Sequence, residues 1–235
     1  MCDRTTTTST ADQQFQKGLK YAIGIGNPKN YKEAIKYFRR AAEHGHAEAQ
    51  YNLGNYYFIG LGLNKNKKQA QKFYQLAAKQ GHAGAQYNLG NFYFLGETVN
   101  KNKRLAIKFF GLAANQGNVD AQHILGWCYY HGDGVRKNYK QAVKYLQMAA
   151  EQDDTDSQYF LGECYFWGDG VSINDKQAAS YYQLAAKEGH ASAQYMLGRC
   201  YLMGMGLGKN EKQALKYFRL SAEQNHTGAQ YRLGD

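Results

Sequence analysis

Cys128, Cys164 and Cys200 stand 36 residues apart, and His46, His82, His190 and His226 fall at multiples of the same interval. Thiols and imidazoles can ligate a metal, form disulfides or act as nucleophile and base. Their spacing points elsewhere. Packed helices lie about 8–10 Å apart and a disulfide needs Cα atoms within about 7 Å, so no bridge is expected between cysteines one interval apart. A ladder of single thiols is a weak metal signature, and reduced core thiols in a cytosol-like compartment are the expectation, with Cys2 accessible. The histidines occupy one recurring turn. Only His44 and His46 are close neighbours, and two ligands make at best an opportunistic site. No nucleophile–base pair, paired acids or phosphate loop occurs at a meaningful spacing. Gly132 and Gly134 end a helix, where a dinucleotide loop would begin one. The sequence therefore predicts no catalytic residue, no metal site, no cofactor and no specific small molecule.

A repeat places these residues. GHAEAQYNLG at 45–54 returns as GHAGAQYNLG at 81–90 and as GHASAQYMLG at 189–198. A frame opened at Ala47 and stepped by 36 also starts at Ala83, Val119, Thr155 and Ala191, with a diverged copy from Ala11 and a partial one from Thr227. A fixed period of this size marks a solenoid whose units bury their apolar faces only by stacking. In each unit Ala49, Leu53 and Tyr57 (or their equivalents) share one face of a helix A, which ends at a recurring Gly such as Gly60. Asn66 then reads as the N-cap of a helix B, and Gln69 completes a capping-box pattern that Leu105 alone breaks. Ala70, Phe73, Tyr74 and Ala77 form the apolar side of helix B, which closes at Gly81. The fold expected is an all-α, right-handed solenoid of antiparallel helix pairs over residues 11–235, after a disordered tail at 1–10. Gly54 and its equivalents sit inside helix A, where Gly costs ~1 kcal/mol relative to Ala. A close approach of helix B, with Ala pairs such as Ala77 and Ala78 facing it, is the expected reason.

The pattern A-x-A-Q-Y-x-L-G-x-x-Y-x-x-G-x-G-V-x-x-N, followed by K-x-A-x-x-Y-x-x-A-A-x-x-G-H, resembles the Sel1-like repeat, a relative of the tetratricopeptide repeat. Residues 121–154, AQHILGWCYYHGDGVRKNYKQAVKYLQMAAEQDD, carry it well. The resemblance implies a protein-interaction scaffold or adaptor, found in signalling, quality control and bacterial contact with host cells, with helix A lining the concave side. It implies no shared catalysis, although some relatives are credited with hydrolysis of cell-wall-type substrates. In a cysteine-rich secreted branch, cysteines occupy the places held here by Ala78 and Gln86, which disfavours that branch.

The repeats supply their own control, because positions that vary between units are not demanded by the fold. On helix A, frame positions 2, 6, 9 and 13 vary and fall on one face. They give Asn52, Asn55, Asn88 and Asn91 in the early units. Ile124, Trp127 and His131 follow, then Phe160, Glu163 and Trp167, then Met196, Arg199 and Met203. Trp, Met and Arg are enriched at interface centres. The face reads as a groove for an extended or helical peptide, with Ile124, Phe160 and Met196 divided between groove and packing. The paired Asn residues are similar to the carboxylate clamp of some tetratricopeptide grooves. The basic members would have to follow in the fourth unit, where Ile124 and His131 stand.

The net charge is +10. Lys65, Lys67, Lys68, Lys72, Lys101, Lys103 and Lys108 fall in the loop and on the outer side of helix B, without the interleaved aromatics of a strand-binding groove. A solvated face is expected rather than nucleic-acid binding. A basic surface for acidic partners is the alternative. The residues 1–10 hold no apolar run of a secretory signal, and no segment approaches a membrane span. The predicted location is cytoplasmic or another reducing compartment.

Overall fold

In the computed structural model, residues 9–26 and 28–234 are described. Cys2 and most of the expected tail at 1–10 lie outside them. The described residues form thirteen α-helices and no strand. They fall into two compact units, 1–118 and 119–235. In the first, the A helices are α1 (Thr10–Ile23), α3 (Ala47–Ile59) and α5 (Ala83–Leu95), each followed by a B helix: α2 (Tyr31–Glu43), α4 (Lys67–Lys79) and α6 (Lys103–Ala114). In the second, A helices α7 (Val119–His131), α9 (Thr155–Trp167), α11 (Ala191–Met203) and α13 (Thr227–Gly234) alternate with α8 (Tyr139–Ala150), α10 (Asp175–Lys187) and α12 (Glu211–Glu223). Within each unit, each A helix packs on the B helix that follows it, and each B helix on the next A helix.

The caps explain the fixed loop residues. Gly60, Gly96, Gly168 and Gly204 end A helices in the left-handed conformation, as the spacing predicts. Asn66 and its equivalents cap every B helix by accepting the third backbone N–H, at 3.0 Å from Gln69 in α4. The reciprocal half of the capping box is replaced. The Asn66 N–H donates to Tyr57 O at 2.8 Å, and Asn102, Asn138, Asn174 and Asn210 do the same to the Tyr at frame position 11. Leu105 therefore breaks nothing, because Asn102 still caps its N–H at 3.0 Å. That Tyr also stacks on an aromatic ring of its own helix B, with interplanar angles of 2 to 12° in all six pairs.

The mid-helix glycines are a correction to the expected Ala–Ala contact. An added Cβ at Gly54 would meet Tyr74 Cε1 at 2.5 Å, and one at Gly18 would meet the Phe38 ring at 2.6 Å, rather than the Ala pair. A ring or Leu at frame position 28 lies on the glycine Cα, so no side chain fits. The recurring turn histidines have a fuller role than turn chemistry. His46, His82 and His190 are N-caps of the next A helix, each Nδ1 accepting a backbone N–H at 3.0 to 3.1 Å. Their Nε2 must then carry the proton, and it faces a carboxylate of the preceding A helix: Asp12 at 3.3 Å, Glu48 at 2.8 Å and Asp156 at 3.3 Å.

Repeats are also joined through the buried Gln at frame position 4. Gln50 donates to Ala42 O at 3.1 Å and accepts from Gln80 at 2.8 Å. The same Gln-to-Gln bond recurs from Gln116 to Gln86, Gln152 to Gln122 and Gln224 to Gln194, at 2.7 to 2.9 Å. A buried amide in an apolar junction is costly unless both its ends are satisfied, which accounts for its constancy.

Candidate binding face

From the second repeat to the sixth, Gln50, Leu53, Gly54 and their equivalents are buried, while the constant Tyr57 and its equivalents are half-buried; in the first repeat Gln14 is half-buried and Lys17 exposed. Varying positions 2, 9 and 13 differ in what they touch. Position 2 is engaged by the capping histidines where it is Asp12, Glu48 or Asp156. Position 9 is partly engaged by helix B. Asn55 Oδ1 accepts from the buried Tyr74 hydroxyl at 2.8 Å, and Glu163 Oε1 from the buried Tyr182 hydroxyl at 2.6 Å. Where position 28 is Phe or Leu, position 9 is Leu19, Asn91, Trp127 or Arg199. Where position 28 is Tyr, position 9 supplies the acceptor for its hydroxyl, a contact that the repeat comparison treated as freedom.

Position 13, the last residue of the A helix in the six full repeats, is the exposed kind. Ile23, Ile59, Leu95, Trp167 and Met203 are 55 to 69% exposed, and His131 is exposed at the same place. These side chains cap no helix and fill no core.

In the first unit, Asn55, Asn88 and Asn91 line one cleft of about 460 Å³. Tyr51, Tyr74 and Phe92 form its deeper side, and the exposed Phe58 and Leu95 its walls. Asn88 Nδ2 lies 3.4 Å from Asn55 Oδ1. Asn91 lines the cleft with no side-chain partner among the described residues, so its amide can both donate and accept. Lys65 and Lys67 Nζ stand 6.0 and 5.7 Å from the Phe58 ring centroid, and Lys67 pairs with Glu97 at 2.9 Å. Asn52 is turned back on its own helix, donating to Glu48 O at 2.9 Å.

In the second unit the frame position of Asn88 is taken by larger side chains. Phe160 packs on Tyr130 and His131, with centroids 6.3 and 6.4 Å away. Met196 is buried, which settles it as packing, and Arg199 lies over the Phe166 ring at 5.7 Å. Trp127 is half-buried against His131, at 4.6 Å between centroids. Trp167 is free of the core and donates to Glu163 Oε2 at 3.4 Å. Trp127, Tyr130, His131 and Phe160 form one aromatic cluster across α7 and α9.

Cys128, Cys164 and Cys200 are buried and unbridged. Burial pushes the Cys164 thiol up to about 12 and that of Cys200 up to about 11, which keeps both protonated and unreactive. His131 follows Cys128 by three residues, but its ring turns onto Trp127 and Tyr130 while the thiol stays inside. Among the described residues no group of three His, Cys, Asp or Glu is placed to hold a metal ion, and no helix is long and apolar enough to cross a membrane.

Sequence reasoning missed the capping histidines and the paired positions 9 and 28. Asp154 holds the first column's place in the fifth repeat, and Asp is a preferred N-cap. That was the available signal.

Comparison with known proteins agrees with the geometry. The Sel1 repeat family model matches residues 15–46, 47–82, 83–118, 119–154, 155–190 and 191–226. The crystal structure of a protective antigen of uropathogenic Escherichia coli strains, with an SLR fold, is 38% identical with a TM-score of 0.89. The match covers 95% of this chain and 48% of the antigen, so the chain spans about half of that protein. A Sel1 repeat protein from Oxalobacter formigenes is 31% identical with a TM-score of 0.82, over 92% of this chain and 84% of its own. No curated protein matches at a significant level. With six matched repeats and this helix-pair architecture, the chain belongs to the Sel1 repeat family.

Proposed function

We propose that the chain is a non-enzymatic scaffold that binds a protein or peptide along the concave side lined by its A helices. One observation carries this reading. The last residue of the A helix is a large apolar side chain in five of six repeats and is 55 to 69% exposed in each. A position that the fold leaves in water and that still carries Ile, Leu, Trp or Met is a contact surface in waiting.

The unit-one cleft adds amide donors and acceptors suited to a peptide backbone, and the unit-two face adds Trp127, Phe160, Trp167 and Met203 as apolar anchors, with the polar ring of His131 beside them. The buried, reduced thiols support a reducing compartment. A part in bacterial signalling or host contact belongs to the same proposal, supported by the likeness to the E. coli antigen. The test is capture from host and bacterial lysates with the whole chain and with Trp167→Ala. Loss of a captured protein by a variant that melts like the wild type supports the reading. Identical capture by both counts against this face.

A further inference from the structure

The Gln-to-Gln junction fails at one place. In the fifth repeat the donor's position holds Glu188 instead of Gln, and a carboxylate has no N–H to give. Gln158, 4% exposed, is left with a buried Oε1 that has no partner. Gln14, in the first repeat, is the parallel case: its Oε1 is also unpartnered, and the donor's position holds His44, whose ring is occupied by Arg40 O at 2.7 Å. The orphan thus appears where the donating Gln is absent.

Only at Gln158 is the gap also acidic. Gln158, Glu188, Asp153, Thr155, Leu184 and Lys187 line a cleft of about 360 Å³ within the second unit. Asp153 is as unusual as Glu188. It sits at φ 63°, where Gly45, Gly81, Gly117 and Gly189, and in the sixth repeat the uncharged Asn225, occupy the same frame position. A non-glycine side chain in the left-handed region is disfavoured, and here it brings a second carboxylate to the cleft. Neither carboxylate has an ion-pair partner among the described residues.

We propose that this cleft takes the guanidinium of an arginine side chain from a partner protein. The vacant role is that of an N–H donor to Gln158 Oε1, which Gln Nε2 plays at 2.7 to 2.9 Å in the sibling repeats. A guanidinium offers five N–H groups in a planar fork, enough to satisfy that oxygen and a carboxylate together. Amide and carboxylate oxygens also ligate calcium, but that ion takes about six to eight oxygens, and among the described residues no group of three His, Cys, Asp or Glu is placed to hold a metal ion. The site lies apart from the exposed A-helix column and does not depend on the reading of that column.

The test uses the whole chain labelled with ¹⁵N and an end-blocked peptide, acetyl-Gly-Arg-Gly-amide, followed through the Gln158 side-chain amide signal. The same peptide with citrulline for arginine, the same peptide with lysine, and calcium chloride are the comparisons. Arginine should shift the Gln158 signal saturably, and citrulline should bind at least tenfold more weakly. Glu188→Gln restores the donor, so it should abolish the shift and raise the melting temperature. Asp153→Gly should weaken binding without lowering the melting temperature. The proposal is overturned by absence of saturable binding, by equal binding of citrulline, by calcium or lysine binding in preference to arginine, or by undiminished binding in Glu188→Gln.

Discussion

The Tyr182 hydroxyl donates to Glu163 Oε1 at 2.6 Å across the α9–α10 hairpin, from a ring with no exposed surface. Burial first, and then the Glu163 charge and hydrogen bond, hold the phenol's pKa well above its ordinary value, so it stays a donor. Glu163→Ala should leave that hydroxyl without an acceptor and cost about 1–3 kcal/mol. Adding Tyr182→Phe in the same chain should recover most of the loss. Chemical denaturation of the two single variants and the double variant measures the coupling. Additive losses would mean that the pair is not an energetic unit.

Gly54→Ala tests the glycine contact. Helix propensity alone would stabilise the variant by ~1 kcal/mol. The Tyr74 ring, 2.5 Å from where the new Cβ would lie, should reverse that sign and give a net loss of about 1–3 kcal/mol, as overpacking does. A rise in melting temperature would contradict the contact.

The two kinds of histidine should respond to pH with opposite signs. At His123, burial works against the charged ring, but the Asp154 hydrogen bond and charge, with Asp156 and Asp120, hold its pKa above the ordinary value. Its contribution is full below the unfolded value near 6.5 and is lost as pH rises through the folded one. At His190, burial lowers the pKa, in keeping with a ring whose Nδ1 must stay bare to cap α11. Its contribution is present above about 6.5 and is lost as pH falls through the lower folded value. Melting curves from pH 5 to 8 should show His123→Ala hurting most at the acid end. His190→Asn, which keeps a cap oxygen, should lose less than the wild type on acidification. Parallel profiles for all three chains would refute the assignment.

The thiols give a fourth outcome. Alkylation of Cys128, Cys164 and Cys200 should proceed only at the rate of unfolding, because all three are buried and the last two are held protonated by burial. Mass spectrometry before and after denaturant checks it. Rapid labelling of the folded chain would contradict the core assignment.

Much of this architecture is legible from spacing alone. A 36-residue period, a recurring Gly after helix A and a recurring Asn before helix B place the helix boundaries, because each residue type answers a backbone need that is local. Contacts between elements were less legible. Gly54 signals close approach but not which side chain approaches, since Ala77 and Tyr74 both lie on the inner side of helix B. Position 9 looked free because its contact depends on position 28: Asn55 accepts from the Tyr74 hydroxyl, while the repeat of Asn91 carries Phe110 there, and a column read singly hides the difference. The Gln158 orphan needed both ends of its junction, 30 residues apart, to be seen together.

The central claim is that the exposed ends of the A helices bind and do not fold. The most direct measurement is the affinity of a captured partner for the wild type and for a chain carrying Ile59→Ser, Leu95→Ser, Trp167→Ser and Met203→Ser, at a temperature where both are folded. Side chains 59 to 69% exposed should tolerate these changes with little shift in melting temperature, while affinity falls at least thirtyfold, about 2 kcal/mol, as the loss of anchor residues does. Unchanged affinity in the folded variant would contradict the account.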